Sequence, residues 1–157
     1  MPIHPAPPSA LARFTGWHAL GRWQVAGLCL VFVWFFVGGI AHFALTEVEM
    51  RIVPPYIPWP RAAVLVSGVF ELLGAIGLLW HRSRRAAGIG LFLLTLAVTP
   101  CHIYMLQQPQ LFGVPLWALW LRLPVQVALL WVIWTSTARQ SMVTARRRDR
   151  GARWGAR

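Results

Sequence analysis

Residues 23–44 read WQVAGLCLVFVWFFVGGIAHFA, without a single Lys, Arg, Asp or Glu. At about 1.5 Å of rise per residue, such a run makes a helix of roughly 33 Å, enough to cross the ~30 Å hydrocarbon core of a bilayer. It is apolar on every face, whereas a surface helix of a soluble domain keeps one polar face. Three further blocks repeat this character, at about 62–80, 86–106 and 116–135. The sequence therefore predicts an all-α fold: a four-helix transmembrane bundle over 23–135, running up-down-up-down with antiparallel neighbours. A flexible or interfacial segment, 1–22, precedes it and an Arg-rich tail, 136–157, follows.

The composition agrees. Of 157 residues, 57% are hydrophobic and only 12% charged, about half the ~25% charged residues of an ordinary soluble domain. Mean hydropathy is +0.56. A soluble enzyme and a disordered basic chain are both excluded by that apolar content.

The net charge of +11 is carried by Arg alone, for all 15 basic residues are Arg. Arg13 and Arg22 precede the first block, and Arg82, Arg84 and Arg85 separate the second from the third. Seven more Arg follow the fourth, against Asp149 alone. Elsewhere Arg51, Arg61 and Arg122 balance Glu47, Glu49 and Glu71. One side of the membrane thus holds the whole excess, which the positive-inside rule makes the cytoplasmic side, with both termini there. This distribution points to a membrane rather than to nucleic acid. The tail TARRRDRGARWGAR suits anionic lipid headgroups, at about 1 kcal/mol per Arg near the surface; an acidic cytoplasmic partner is the other reading. Tryptophans mark the two interfaces: Trp23, Trp80, Trp131 and Trp134 the inner, Trp59, Trp117 and Trp120 the outer. Trp34 is the exception, at mid-membrane. Leu11, Phe14 and Trp17 share one face of a short segment suited to lying along the inner interface.

Polar residues inside spans are costly and turn toward neighbouring helices. Spaced at about 100° per residue, Gly38 and His42 stack on the first helix, and Ser67, Gly68, Glu71, Gly74 and Ala75 form a stripe on the second. Gly88, Thr95, Thr99 and His102 share a face of the third, and Pro115, Ala118, Arg122 and Gln126 one of the fourth. Counting depth from the alternating directions brings His42, Glu71, His102, Arg122 and Gln126 into the outer half, with no comparable polar group in the inner half. One outward-facing polar pocket is expected. Glu71, the one acid within a span, either pairs with Arg122 or is protonated; Arg122 alternatively snorkels to the outer headgroups. Each polar residue also has a structural reading, as a brace between helices. No local ligand motif indicates a metal. Cys29 and Cys101 lie at different depths, too far apart for a disulfide.

The connection TEVEMRIVPPYIPWP is stiffened by Pro54, Pro55, Pro58 and Pro60. It is either a rigid connector or a lid over the pocket. Pro100 is expected to kink the third helix near His102 and to free a carbonyl toward the pocket.

Taken together, GGIAHF (38–43), IVPPYIPWP (52–60), SGVFELLGAIGLLWHRSRR (67–85), TPCHIYML (99–106) and LRLPVQVALLWVIW (121–134) resemble the DoxX-like family of small bacterial membrane proteins. The resemblance implies a four-helix bundle in the bacterial cytoplasmic (inner) membrane. It carries the family pattern onto His42, Pro54, Pro55, Gly68, Glu71, Arg122, Pro124 and Gln126, while Pro100-Cys101-His102 departs from the family's usual Pro-Ala-Asn. Family members are linked to quinone-coupled sulfur oxidation and to oxidative-stress complexes. The expected role is an accessory membrane component of such a system. Glu71 and Arg122 would be its catalytic groups, and His42, His102, Gln126, Pro54 and Pro55 would hold a quinone. The sequence contains no flavin, haem or iron–sulfur motif, so electrons would come from a redox protein partner. A non-catalytic scaffold is the competing reading. A small-solute or proton transporter, which would require a homo-oligomer, is the third.

Overall fold

The structure, a computed structural model, describes residues 15–17 and 20–138. The expectations for Leu11, Phe14 and the tail from residue 139 lie outside these residues.

Among the described residues the chain is all helix and connection, with no strand. Helix α1 spans Arg22–Ala44. It starts at extended Gly21, whose N–H donates to Gln24 Oε1 at 3.3 Å, and ends where the Thr46 hydroxyl donates to the His42 carbonyl at 2.7 Å. That hydroxyl offers the closing carbonyls a partner in place of the next helical N–H. A short helix α2, Thr46–Met50, leads into the proline connection. Helix α3, Pro60–Gly77, begins with proline at its first position, where the missing N–H costs nothing. Trp59 before it stands in the left-handed region at φ 57°. Such a conformation costs a non-Gly residue about 1–2 kcal/mol, and a following proline disfavours the ordinary helical region at that position.

The third block divides. Helix α4 covers Arg84–Ala97 and α5 covers Thr99–Gln107, with Val98 between them. Pro100 has no N–H to bond back and its ring crowds the preceding turn, so the expected kink becomes a full break. A 3₁₀ turn, Pro109–Leu111, precedes α6, Leu116–Ala138, which contains Pro124. The observed bounds shift the expected ones by a few residues. Helix α3 begins and ends earlier than 62–80, because Pro60 starts it and a turn from Leu78 closes it. Helix α6 continues past 135.

Four of these stretches are long and apolar enough to cross a membrane: Arg22–Ala44, Pro60–Gly77, Arg84–Gln107 and Leu116–Thr137. Each buries only 17–22% of its most apolar stretch within the protein. Leu30, Val33, Val37 and Ile40 of α1, Val69 and Leu73 of α3, and Trp131 and Trp134 of α6 all face outward. An apolar exterior of this extent is suited to lipid rather than water. Helix α1 packs against α3 and α6, and α4 packs against the same two, so the helices close a ring. Leu28, Val31 and Phe35, with Ala75, Leu78, Leu91, Leu129 and Ile133, fill its centre.

Candidate functional site

A close helix approach sets the site. A Cβ on Gly68 would lie 2.7 Å from the Cβ of His42 and 3.2 Å from the carbonyl oxygen of Gly39, and one on Gly39 would lie 3.1 Å from the carbonyl of Gly68. These glycines let the α1 and α3 backbones touch. His42 and Glu71 are thereby set side by side, with Nε2 3.4 Å from Oε1. Gly38 makes room for the carboxylate, since a Cβ there would stand 2.7 Å from Glu71 Oε2. The two side chains are 17% and 12% exposed, so the pair is largely withdrawn from its surroundings. His42 Nδ1 is buried and has no hydrogen-bond partner among the described residues.

A Glu71–Arg122 pair, one of the two alternatives for Glu71, does not form among the described residues. Among the described residues the ion-pair partner of Glu71 is His42, and Arg122 is exposed. The reason is the order of the helices: α3 packs chiefly on α1 and α4, whereas Arg122 is on α6. Helical spacing identifies inward faces; it does not say which inward faces meet.

A second polar group joins α4, α5 and α6. Gln126 is buried. Its Nε2 donates to the Thr95 carbonyl at 2.8 Å and to Thr99 Oγ1 at 2.6 Å. Its Oε1 lies 2.6 Å from His102 Nδ1. The Thr95 carbonyl can only accept, which fixes the way the amide faces; Oε1 must then accept from His102, so Nδ1 carries the proton. The Thr95 carbonyl, one turn before the break, is thus held by two side chains, Gln126 and Thr99.

Between these two groups lies a cavity of about 810 Å³, lined by all five residues expected to meet, His42, Glu71, His102, Arg122 and Gln126. Its walls are otherwise mainly apolar, and Trp34, Phe70 and Leu121 both line it and face outward. The cavity therefore opens sideways between helices, within the apolar belt. That gives Trp34, the tryptophan away from either expected interface, a place at its mouth. Ile52, Val53 and Ile57 of the proline connection cover it. Pro54 and Pro55 are not in its lining: Pro54 is fully buried beneath the connection and Pro55 is exposed. The prolines shape the cover, and their neighbours make the contact.

Sequence reasoning missed Glu49 and Cys101, which also line the cavity, as does Ser67 of the expected α3 stripe. Glu49 follows His42 by seven residues, two helical turns, a spacing that would have placed it had the helix been extended beyond Ala44. Among the described residues no group of three or more His, Cys, Asp or Glu is arranged to hold a metal. Cys29 and Cys101 are both free thiols.

At the other end Arg84, one of the three Arg that separate the second apolar block from the third, is completely buried. Its Nε donates to the Leu78 carbonyl at 2.9 Å and its Nη2 to the Thr15 carbonyl at 2.7 Å. It thus caps the end of α3, where a cation complements the negative helix terminus, and latches the preceding chain. Trp17 donates its indole N–H to the Leu79 carbonyl at 3.4 Å. Ser136 and Thr137 are also buried at this end. Buried polar side chains are thus present at this end of the described bundle as well.

The fold and the cavity define a class: a small helical protein, a membrane protein by the length and composition of its helices, with a laterally open, mainly apolar cavity among its four long spans. Residues 31–138 match the family described as Domain of unknown function (DUF8561), and the chain belongs to that family. No curated protein and no solved structure matches the sequence.

Proposed function

We propose that this protein is an accessory membrane component of a quinone-linked redox or oxidative-stress system, and that its cavity takes the ring of a membrane-soluble quinone. One observation carries the reading. The same apolar cavity, open within the lipid-facing belt, presents His42–Glu71 on one wall and His102–Gln126 on another. A ligand that travels in lipid and bears polar atoms at both ends of a flat apolar ring matches that arrangement, and about 810 Å³ is within the range of small-molecule sites, roughly 300–1,000 Å³. Glu71 and Arg122 are the groups proposed to act on the ring's oxygens, with His42, His102 and Gln126 holding it beneath the Pro54–Pro55 connection. The resemblance to DoxX-like proteins supports the same reading. Electrons would be supplied by a protein partner, and the Arg-rich tail would hold anionic lipid or recruit that partner.

The topology proposed is up-down-up-down, in the bacterial inner membrane with both termini cytoplasmic. It is supported by the cavity lining: the end of α1, the first half of α3, the end of α4 with α5, and the first half of α6 meet at one level.

The test is thermal unfolding of the detergent-purified protein with short-chain benzoquinones and their reduced forms, wild type beside Glu71→Gln. A ligand bound to the native state at 100 times its Kd stabilises it by about 2.7 kcal/mol. A saturable rise with either form, weakened in the variant, is expected. If no form raises the transition of folded wild type, the polar groups are braces between helices and the protein is a membrane scaffold.

A further inference from the structure

Resting on the reading of the cavity as a ring-binding site, we infer that it selects a hydroxylated ring, a hydroquinone, over the corresponding quinone. The inference comes from a count of where each polar hydrogen goes. The Ser67 hydroxyl donates to the Val64 carbonyl at 2.8 Å and the Thr95 hydroxyl to the Leu91 carbonyl at 2.7 Å. Both amide hydrogens of Gln126 are engaged by Thr95 and Thr99, and the Nδ1 hydrogen of His102 by Gln126. His42 Nε2 is turned to the Glu71 carboxylate. Each of these donors is used within the protein.

What remains toward the cavity is acceptors. With Nδ1 protonated, the neutral His102 ring has a lone pair on Nε2. Glu71 keeps a second carboxylate oxygen, and the Ser67 and Thr95 oxygens retain lone pairs. The exceptions are Arg122, whose donors stand at the exposed rim, and the Cys101 thiol, a weak donor. His42 Nδ1, buried without a partner among the described residues, accepts in the neutral ring whose one hydrogen, on Nε2, goes to Glu71. A quinone offers only carbonyl acceptors, which would face lone pairs inside. A hydroquinone brings two O–H donors, and a buried acceptor left without one is penalised in a medium of low dielectric. The network around Gln126 therefore sets specificity: it holds His102 in the one tautomer that accepts.

The test compares three ligands sharing one ring and tail: a short-chain 1,4-benzoquinone, its hydroquinone kept anaerobic, and the hydroquinone dimethyl ether, which has the shape and no donors. Affinities are read from thermal stabilisation of the wild-type protein in detergent. The hydroquinone is expected to bind at least ten-fold tighter than either of the others, about 1.4 kcal/mol. Glu71→Gln places an amide donor in the cavity and is expected to narrow that preference to within about three-fold, by the same affinity scale. Gln126→Met releases the His102 tautomer and is expected to do likewise. A quinone that binds as tightly as the hydroquinone overturns the selectivity and leaves the ring-binding reading standing. Binding of none of the three removes both.

Discussion

The two ends of this protein are built from similar materials and behave differently. At the Arg84 end, glycines meet polar side chains and the gap closes. A Cβ on Gly88 would stand 2.5 Å from Thr137 Oγ1 and 2.7 Å from its Cβ, and Gly27 abuts Ser136 in the same way. At the cavity end, Gly38 faces the tip of Glu71, and beyond it lies open space. Two interruptions make the difference. The break at Val98 divides one helix, and the proline connection carries the chain from α2 to α3 over the top. Polar residues within spans thus have two uses here. Where helices run unbroken to their ends, they seal; where proline interrupts them, they line a space.

The largest effect expected from this contrast is at Arg84. Arg84→Ala removes a fully buried side chain and leaves the Leu78 carbonyl without its cap. Loss of packing and an orphaned acceptor together should destabilise by about 4 kcal/mol. Arg84→Lys should recover only part, since an ammonium on a flexible stem cannot hold two carbonyls as the guanidinium fork does. Equilibrium unfolding in mixed micelles measures both. An Arg84→Ala protein as stable as wild type would mean that this end is not sealed by the guanidinium.

Gly88→Ala comes next. The new methyl would meet the branched carbon of Thr137, an atom fixed close to its backbone, so the helices themselves must shift. Overpacking of this kind costs about 2 kcal/mol. Thr137→Ser, which deletes one of the crowded methyl groups, should return at least half of that in the double variant. Additive effects in the cycle would show that the α4–α6 contact is looser than it stands here.

Much of this was legible in the sequence because a membrane imposes few solutions. Uninterrupted apolar runs gave four helices, and the rarity of polar residues within them made the inward faces easy to find. His42, Glu71, His102, Arg122 and Gln126 do line one cavity. What spacing along single helices could not supply was the order of helices around the ring. Spacing therefore offers Glu71 either Arg122 or a proton, and does not reveal His42 as its neighbour. The burial of Arg84 is not legible for another reason. Charge near a helix end ordinarily marks the headgroup region, and only the placement of Thr15 and Leu78 shows that carbonyls on both sides claim this one.

The smallest effects discriminate most finely. Gly38→Ala sets a methyl 2.7 Å from Glu71 Oε2, as short a contact on paper as Gly88 has with the Thr137 methyl carbon. The atom met is the end of a flexible side chain beside an open cavity, so the carboxylate can swing away. The cost to stability should stay below about 1 kcal/mol, because no backbone has to move. The displaced carboxylate should nonetheless lose its place beside His42 and weaken hydroquinone binding several-fold. Gly90→Ala supplies the baseline, since nothing lies within 4 Å of a Cβ there. It should leave binding unchanged and stabilise α4 by about 0.5 kcal/mol through helix propensity alone. If Gly38→Ala proves as costly to stability as Gly88→Ala, the cavity end is as rigid as the sealed end. The contrast between a lining and a seal then fails where it is most exposed to measurement.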